Sequence, residues 1–207
     1  MVMAEATNHY FKHLGVSDGL SQVCIPSIYQ DELGAVWLGT TEGLNRYNGK
    51  DVKVFQPSES NHGLTNNEIN ELCGDKNGRM YIRSGNDLIK LDIYTEQFTC
   101  LRQKGVYGLF CKKDTLWVSC ADGIYYYTGQ GTELTFFARV QKGFVGRALY
   151  VDKETVWVVT RKYLVAISRE DPLRQEILLT LDKGNCILGD SSGNIWVGAW
   201  NGLYRIS

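Results

Sequence analysis

The sequence predicts an all-β fold made of about five copies of one four-stranded antiparallel unit. Three observations predict it: a strand, turn and aromatic strand recur along the chain, the recurrence has a period of about 40 residues, and the composition favours short strands joined by tight turns. Glycine is plentiful at 22 and proline scarce at 3, with 12 tyrosines and 5 tryptophans. A row of such units, each burying its faces against the next, is a β-propeller.

The clearest copies are the first and the last. The first runs Ile28-Tyr29-Gln30-Asp31, Gly34, Val36-Trp37-Leu38-Gly39-Thr40 and Gly43-Leu44-Asn45-Arg46-Tyr47. The last runs Ile187-Leu188-Gly189-Asp190, Gly193, Ile195-Trp196-Val197-Gly198 and Gly202-Leu203-Tyr204-Arg205-Ile206. Degenerate copies centre on Tyr81, Trp117 and Trp157, so the five aromatics are spaced by 44, 36, 40 and 39 residues. Asp31 with Gly34, Asp75 with Gly78, and Asp190 with Gly193 stand first and fourth in a tight turn, where Asp bonds the turn backbone. The runs around each tryptophan are continuously apolar, as in a strand covered on both faces. Trp37, Trp117, Trp157 and Trp196 are therefore expected to pack between sheets.

A more polar outer strand follows each of the first four copies, near Val52, Gln97, Leu134 and Ile177. The fifth copy stops at Ser207, and the segment Tyr10-Phe11-Lys12-His13-Leu14 is expected to close it as its outer strand. The units then lie near residues 25–56, 69–101, 106–140, 145–181 and 184–207, with 10–14 as the closing strand and 1–9 as a tail or signal-peptide remnant. The count permits a closed five-bladed ring and equally a fragment of a seven-bladed one.

Other features bound the function. With 22 basic and 23 acidic residues, no overall field draws nucleic acid or anionic membrane to the chain. No apolar run reaches the roughly 18 residues that span a bilayer. Val2 and Ala4 resemble the small-residue tail of an export signal, pointing to an exported precursor. The six cysteines lack metal-ligand spacing, and no metal or cofactor is expected. Cys73, Cys111 and Cys186 fall in apolar runs, where a free cysteine acts as a small buried hydrophobe. A disulfide framework is the alternative, which a core of this size does not require.

The segments Leu14 to Ser21 and Asp31 to Tyr47 closely resemble the two-component regulator propeller repeat. The resemblance implies the periplasmic sensor of a hybrid histidine kinase of Bacteroidetes, usually a pair of seven-bladed propellers followed by a further β domain, a membrane helix and signalling modules. Many such sensors respond to oligosaccharides. The chain departs from the pattern in having about five units and no transmitter. None of His9, His13 and His62 stands in a helical phospho-acceptor context, so the kinase modules are expected elsewhere in a parent protein.

Within the repeat, departures from its own consensus mark candidate ligand contacts. In the loop after the aromatic strand, Arg83, Arg161 and Trp200 replace small residues. Asn70, Arg147 and Asn185 stand five residues before Asp75, Asp152 and Asp190, near the start of the innermost strands. Regular alternation puts both sets on one face, giving guanidinium groups, amides and an indole for a hydroxyl-rich or anionic small ligand. No nucleophile elbow, zinc-protease helix or phosphate loop occurs, so no catalytic residue is assigned. Two other classes stay open: a protein-interaction scaffold, and a propeller lyase or glycosidase using scattered acids such as Glu42 and Glu68.

Overall fold

Three of the Asp turns each fix two strands and a tryptophan at once. Asp31 accepts the backbone N–H groups of Leu33 and Ala35 at 3.0 and 2.8 Å through Oδ1, and the Trp37 indole N–H at 2.8 Å through Oδ2. Asp152 and Asp190 repeat the arrangement with Trp157 at 2.6 Å and Trp196 at 2.9 Å. The carboxylate therefore closes the turn and also satisfies a buried donor that would otherwise cost free energy. Gly34, Gly78 and Gly193 end the turns of Asp31, Asp75 and Asp190 with φ near 85°, a left-handed conformation that suits glycine.

The computed structural model describes residues 12–57, 63–141 and 144–207. Strands β1 (Ser27–Gln30), β2 (Val36–Thr40), β3 (Gly43–Tyr47) and β4 (Val52–Phe55) form the first antiparallel sheet in that order. The second holds β5 (Ile69–Gly74), β6 (Arg79–Ser84), β7 (Asp87–Asp92) and β8 (Gln97–Arg102). The third holds β9 (Val106–Lys112), β10 (Thr115–Cys120), β11 (Gly123–Tyr127) and β12 (Thr135–Ala138). The fourth holds β13 (Gly146–Val151), β14 (Thr155–Thr160), β15 (Tyr163–Ser168) and β16 (Gln175–Thr180). The fifth holds β17 (Gly184–Gly189), β18 (Ile195–Ala199) and β19 (Gly202–Ile206).

The innermost strands β1, β5, β9, β13 and β17 lie beside one another in sequence order, whereas β17 and β1 make no comparable contact. The buried residues sit between consecutive sheets. Trp37, Leu44, Ile69, Leu72, Met80 and Ile82 fill the first boundary, and Trp117, Leu149, Val156 and Val158 the third. Trp37 and Trp117 are buried as expected, and Trp157 is half-buried against Ile195 and Val197 of the fifth sheet. Trp196, on the last sheet, is also half-buried, with the Arg205 guanidinium 5.9 Å from its ring.

Two expectations need correction. The fifth sheet has three strands among the described residues, and Lys12, His13 and Leu14 form no strand. Tyr10 and Phe11 lie outside the described residues. The described residues from Lys12 to Ser21 are held by the first sheet instead: Lys12 donates to the Tyr47 hydroxyl at 2.9 Å, Leu20 is buried, and the Ser21 N–H donates to Asn45 Oδ1 at 2.9 Å. It thus serves as the lead-in to β1, as Asn66 does for β5 by exchanging hydrogen bonds with the Ser84 hydroxyl. Cys186 is not a buried hydrophobe but is exposed, because among the described residues no sheet covers that side of β17.

Candidate functional site

A repeated defect of the innermost strands builds the site. In sheets two to five the register between the innermost strand and its neighbour slips by one residue, and the extra residue is Asn70, Tyr107, Arg147 or Asn185. Thus Gly146 faces Thr160 while Ala148 faces Val159, and Gly184 faces Ala199 while Cys186 faces Gly198. A bulged residue leaves the ladder and its side chain is re-aimed. In the first sheet the pairing starts cleanly at Ser27 with Gly39.

Between sheets four and five this device meets the hairpin tips. The Arg161 carbonyl accepts the Gly184 N–H at 3.1 Å, the Lys162 carbonyl accepts that of Leu181 at 2.6 Å, and the Trp200 N–H donates to the Asp182 carbonyl at 2.9 Å. Gly184 permits this approach, since a Cβ there would lie 2.4 Å from the Thr160 carbonyl oxygen. The result is an open cavity of about 600 Å³ lined by Arg147, Arg161, Lys183, Asn185, Cys186, Gly198, Ala199 and Trp200. The Lys183 ammonium stands 4.4 Å from the centre of the Trp200 ring, which is 77% exposed. Among the described residues, the side chains of Arg147, Arg161 and Asn185 have no hydrogen-bond or ion-pair partner.

A second cavity of about 370 Å³ shares Arg147 and Arg161 and adds Tyr107, Phe144, Val145, Thr160 and Lys162. The two guanidinium groups therefore stand between an apolar recess and a cationic one with an exposed indole. Such a surface provides charged donors for oxygen-rich ligands and flat aromatic area for a sugar ring.

Four of the six candidates, Arg147, Arg161, Asn185 and Trp200, line this one cavity. Asn70 and Arg83 do not. They sit on the second sheet, where Asn70 donates to the Gly85 carbonyl at 3.2 Å and Arg83 reaches Glu71 and the Gly85 carbonyl, each at 3.4 Å. Glu71 also accepts the Leu109 N–H of the third sheet at 3.1 Å. Burial pushes its carboxyl up to about 7, with Arg83 and Leu109 pulling the other way. Tyr107 and Lys183 were missed. Tyr107 holds the bulge position of the third sheet, but that sheet carries Lys112 where the others carry the turn Asp, so counting back from an Asp passes it by.

Residues 19–42 match the two component regulator propeller family model. Over 53 residues the chain is 40% identical to Histidine kinase P4 of Formosa agariphila, covering 26% of this chain and 4% of that protein. In structure it is similar to the extracellular domain of the hybrid two component system BT3049 from B. thetaiotaomicron. The TM-score is 0.82 at 23% identity, over 95% of this chain and 30% of the other. The extracellular domain of BT4673, from the same organism, gives a TM-score of 0.77 at 20% identity, over 97% and 32%. The chain spans about a third or less of each of these three proteins. Residues 19–42 thus match the two component regulator propeller repeat, and the chain has the same propeller fold as these extracellular domains.

Proposed function

We propose that the chain is an extracytoplasmic ligand-sensing module of a hybrid two-component system, with no turnover of its own. Its ligand is an oligosaccharide or a similar hydroxyl-rich or anionic small molecule, held in the cavity between the fourth and fifth sheets. One observation carries the reading: Arg161 and Trp200, breaks in the repeat's consensus, and Arg147 and Asn185, which share one position of the innermost strands, line a single cavity with Lys183. Residues that drift at random have no reason to converge. The kinase that reads the bound state belongs to the parent protein, as the likeness to Histidine kinase P4 supports.

Calorimetry of the chain against neutral and anionic oligosaccharides tests the proposal. A ligand is expected, and Arg161→Ala and Trp200→Ala should each weaken it by about 1–3 kcal/mol, the range for a charged hydrogen bond or a stacked ring, with melting unchanged. Affinity untouched by both substitutions would move the site elsewhere. No binding across the panel removes the saccharide reading, and turnover of a bound sugar removes the non-catalytic one.

A further inference from the structure

Pairing registers put one residue of each innermost strand opposite the central aromatic: Tyr29, Cys73, Phe110, Tyr150 and Leu188. The residue after it is Gln30, Gly74, Cys111, Val151 or Gly189. Across a boundary, the first of these meets the second on the following sheet. A Cβ on Gly74 would lie 2.2 Å from the Tyr29 hydroxyl, and one on Gly189 would lie 2.1 Å from the Tyr150 ring. At the first and fourth boundaries, then, a tyrosine fills the space a glycine leaves.

At the second boundary both members change together. Cys73 takes the place of the tyrosine and Cys111 that of the glycine, a smaller residue facing a larger one. Both pack on the cluster of Tyr81, Leu88, Val106, Leu109 and Leu116, which sets Cys111 beside the Cys73 thiol. Cys24 and Cys186 are exposed, Cys100 is half-buried and Cys120 buried, and none of them occupies either facing position.

We propose that Cys73 and Cys111 form a disulfide that ties the second sheet to the third. The oxidant is a small-molecule disulfide. The thiolate of one cysteine attacks it, forming a mixed disulfide and expelling one thiolate. The second cysteine, losing its proton to water, attacks the protein sulfur of that adduct and expels the other. Two S–H bonds and one S–S bond are lost, one S–S bond and two small-molecule thiols are formed, and the protein gives up two electrons. The Cys111 contact and then burial hold the Cys73 thiol protonated, so the exchange should quicken as pH rises. A location outside the cytoplasm would supply such oxidants, but the proposal stands on the geometry and not on the ligand reading.

The test is peptide mapping of the folded chain carrying Cys24→Ser and Cys186→Ser, which removes the exposed thiols. After incubation with glutathione disulfide, denaturation and alkylation, mass spectrometry should find Cys73 linked to Cys111, with Cys100 and Cys120 alkylated. The oxidised chain should melt about 5–10 °C above the reduced one, the usual range for a disulfide in a domain of this size. That difference should vanish in Cys73→Ser and in Cys111→Ser. Alkylation of both cysteines, arrest at a glutathione adduct, or linkage to Cys100 or Cys120 would each overturn the proposal.

Discussion

The inner boundaries and the two outer faces of the arc use the same repeat positions with opposite results. Leu72, Leu109 and Leu149 are 4–7% exposed, yet Ile28, at the matching place on the first sheet, is 63% exposed. At the other end, Leu44 is fully buried while its counterpart Leu203 is 69% exposed. Motif and backbone pairing are alike at these sites. What differs is whether a neighbouring sheet covers them, so burial here belongs to the boundary between units and not to the unit.

The sharpest way to break this comparison is to empty the same site at both ends. Trp37→Ala should cost roughly 3–5 kcal/mol, because a fully buried indole leaves a cavity that its neighbours cannot refill. Trp196→Ala should cost less than half as much, since solvent already reaches that ring. Urea denaturation of both variants measures the pair. Equal losses would mean that the outer face of the fifth sheet is covered in solution.

A smaller effect is expected at the turn. Asp31→Ala strands the Trp37 indole N–H and the Ala35 amide in a buried place, costing about 1–3 kcal/mol. At Asp190 the Trp196 indole and the Asn194 amide pull the carboxyl down to about 2, but water is at hand to replace it, so Asp190→Ala should cost less. Thermal melts of the two variants decide the order, and a reversed order would show that the turn amides outweigh burial of the indole.

Much of the fold was legible because each repeat restates it. The Asp and Gly positions, the aromatic strands and the five sheets follow from local turn chemistry and continuous apolar runs. The indole bond to the turn Asp was not legible, since nothing in the spacing shows that Trp37 points back to Asp31. Of the closing strand expected over Tyr10 to Leu14, the described residues Lys12 to Leu14 form no strand, because apolar pattern alone cannot say which sheet a terminal segment joins. Of the site, consensus breaks located Arg161 and Trp200, and the shared position five residues before the turn Asp located Arg147 and Asn185. Consensus breaks also pointed to Arg83, whose partner Glu71 lies twelve residues away on the adjacent strand and has no signature in the repeat.

Glu71 sharpens the comparison at one further position. The residue here accepts a backbone N–H from the next sheet: Ser27 takes that of Leu72 at 2.9 Å, and Glu71 that of Leu109 at 3.1 Å. Cys186 holds the same place on the last sheet, exposed and with no sheet beyond it among the described residues. Only at the covered second boundary does a carboxylate pay for enclosure, its pKa rising from 4.5 to about 7. The folded form therefore holds this proton more tightly than the unfolded chain does, and its contribution to stability is present below pH 4.5 and lost as pH rises through about 7. With the side chain 29% exposed, water relieves part of the penalty, leaving a loss of roughly 1 kcal/mol between pH 5 and 8. Glu71→Gln keeps an oxygen for the Leu109 N–H and removes the titration, so its stability should change less than that of the parent chain over this range. Urea midpoints at pH 5 and pH 8 give the comparison, and a gap between parent and variant that is the same at both would show that Glu71 does not titrate there.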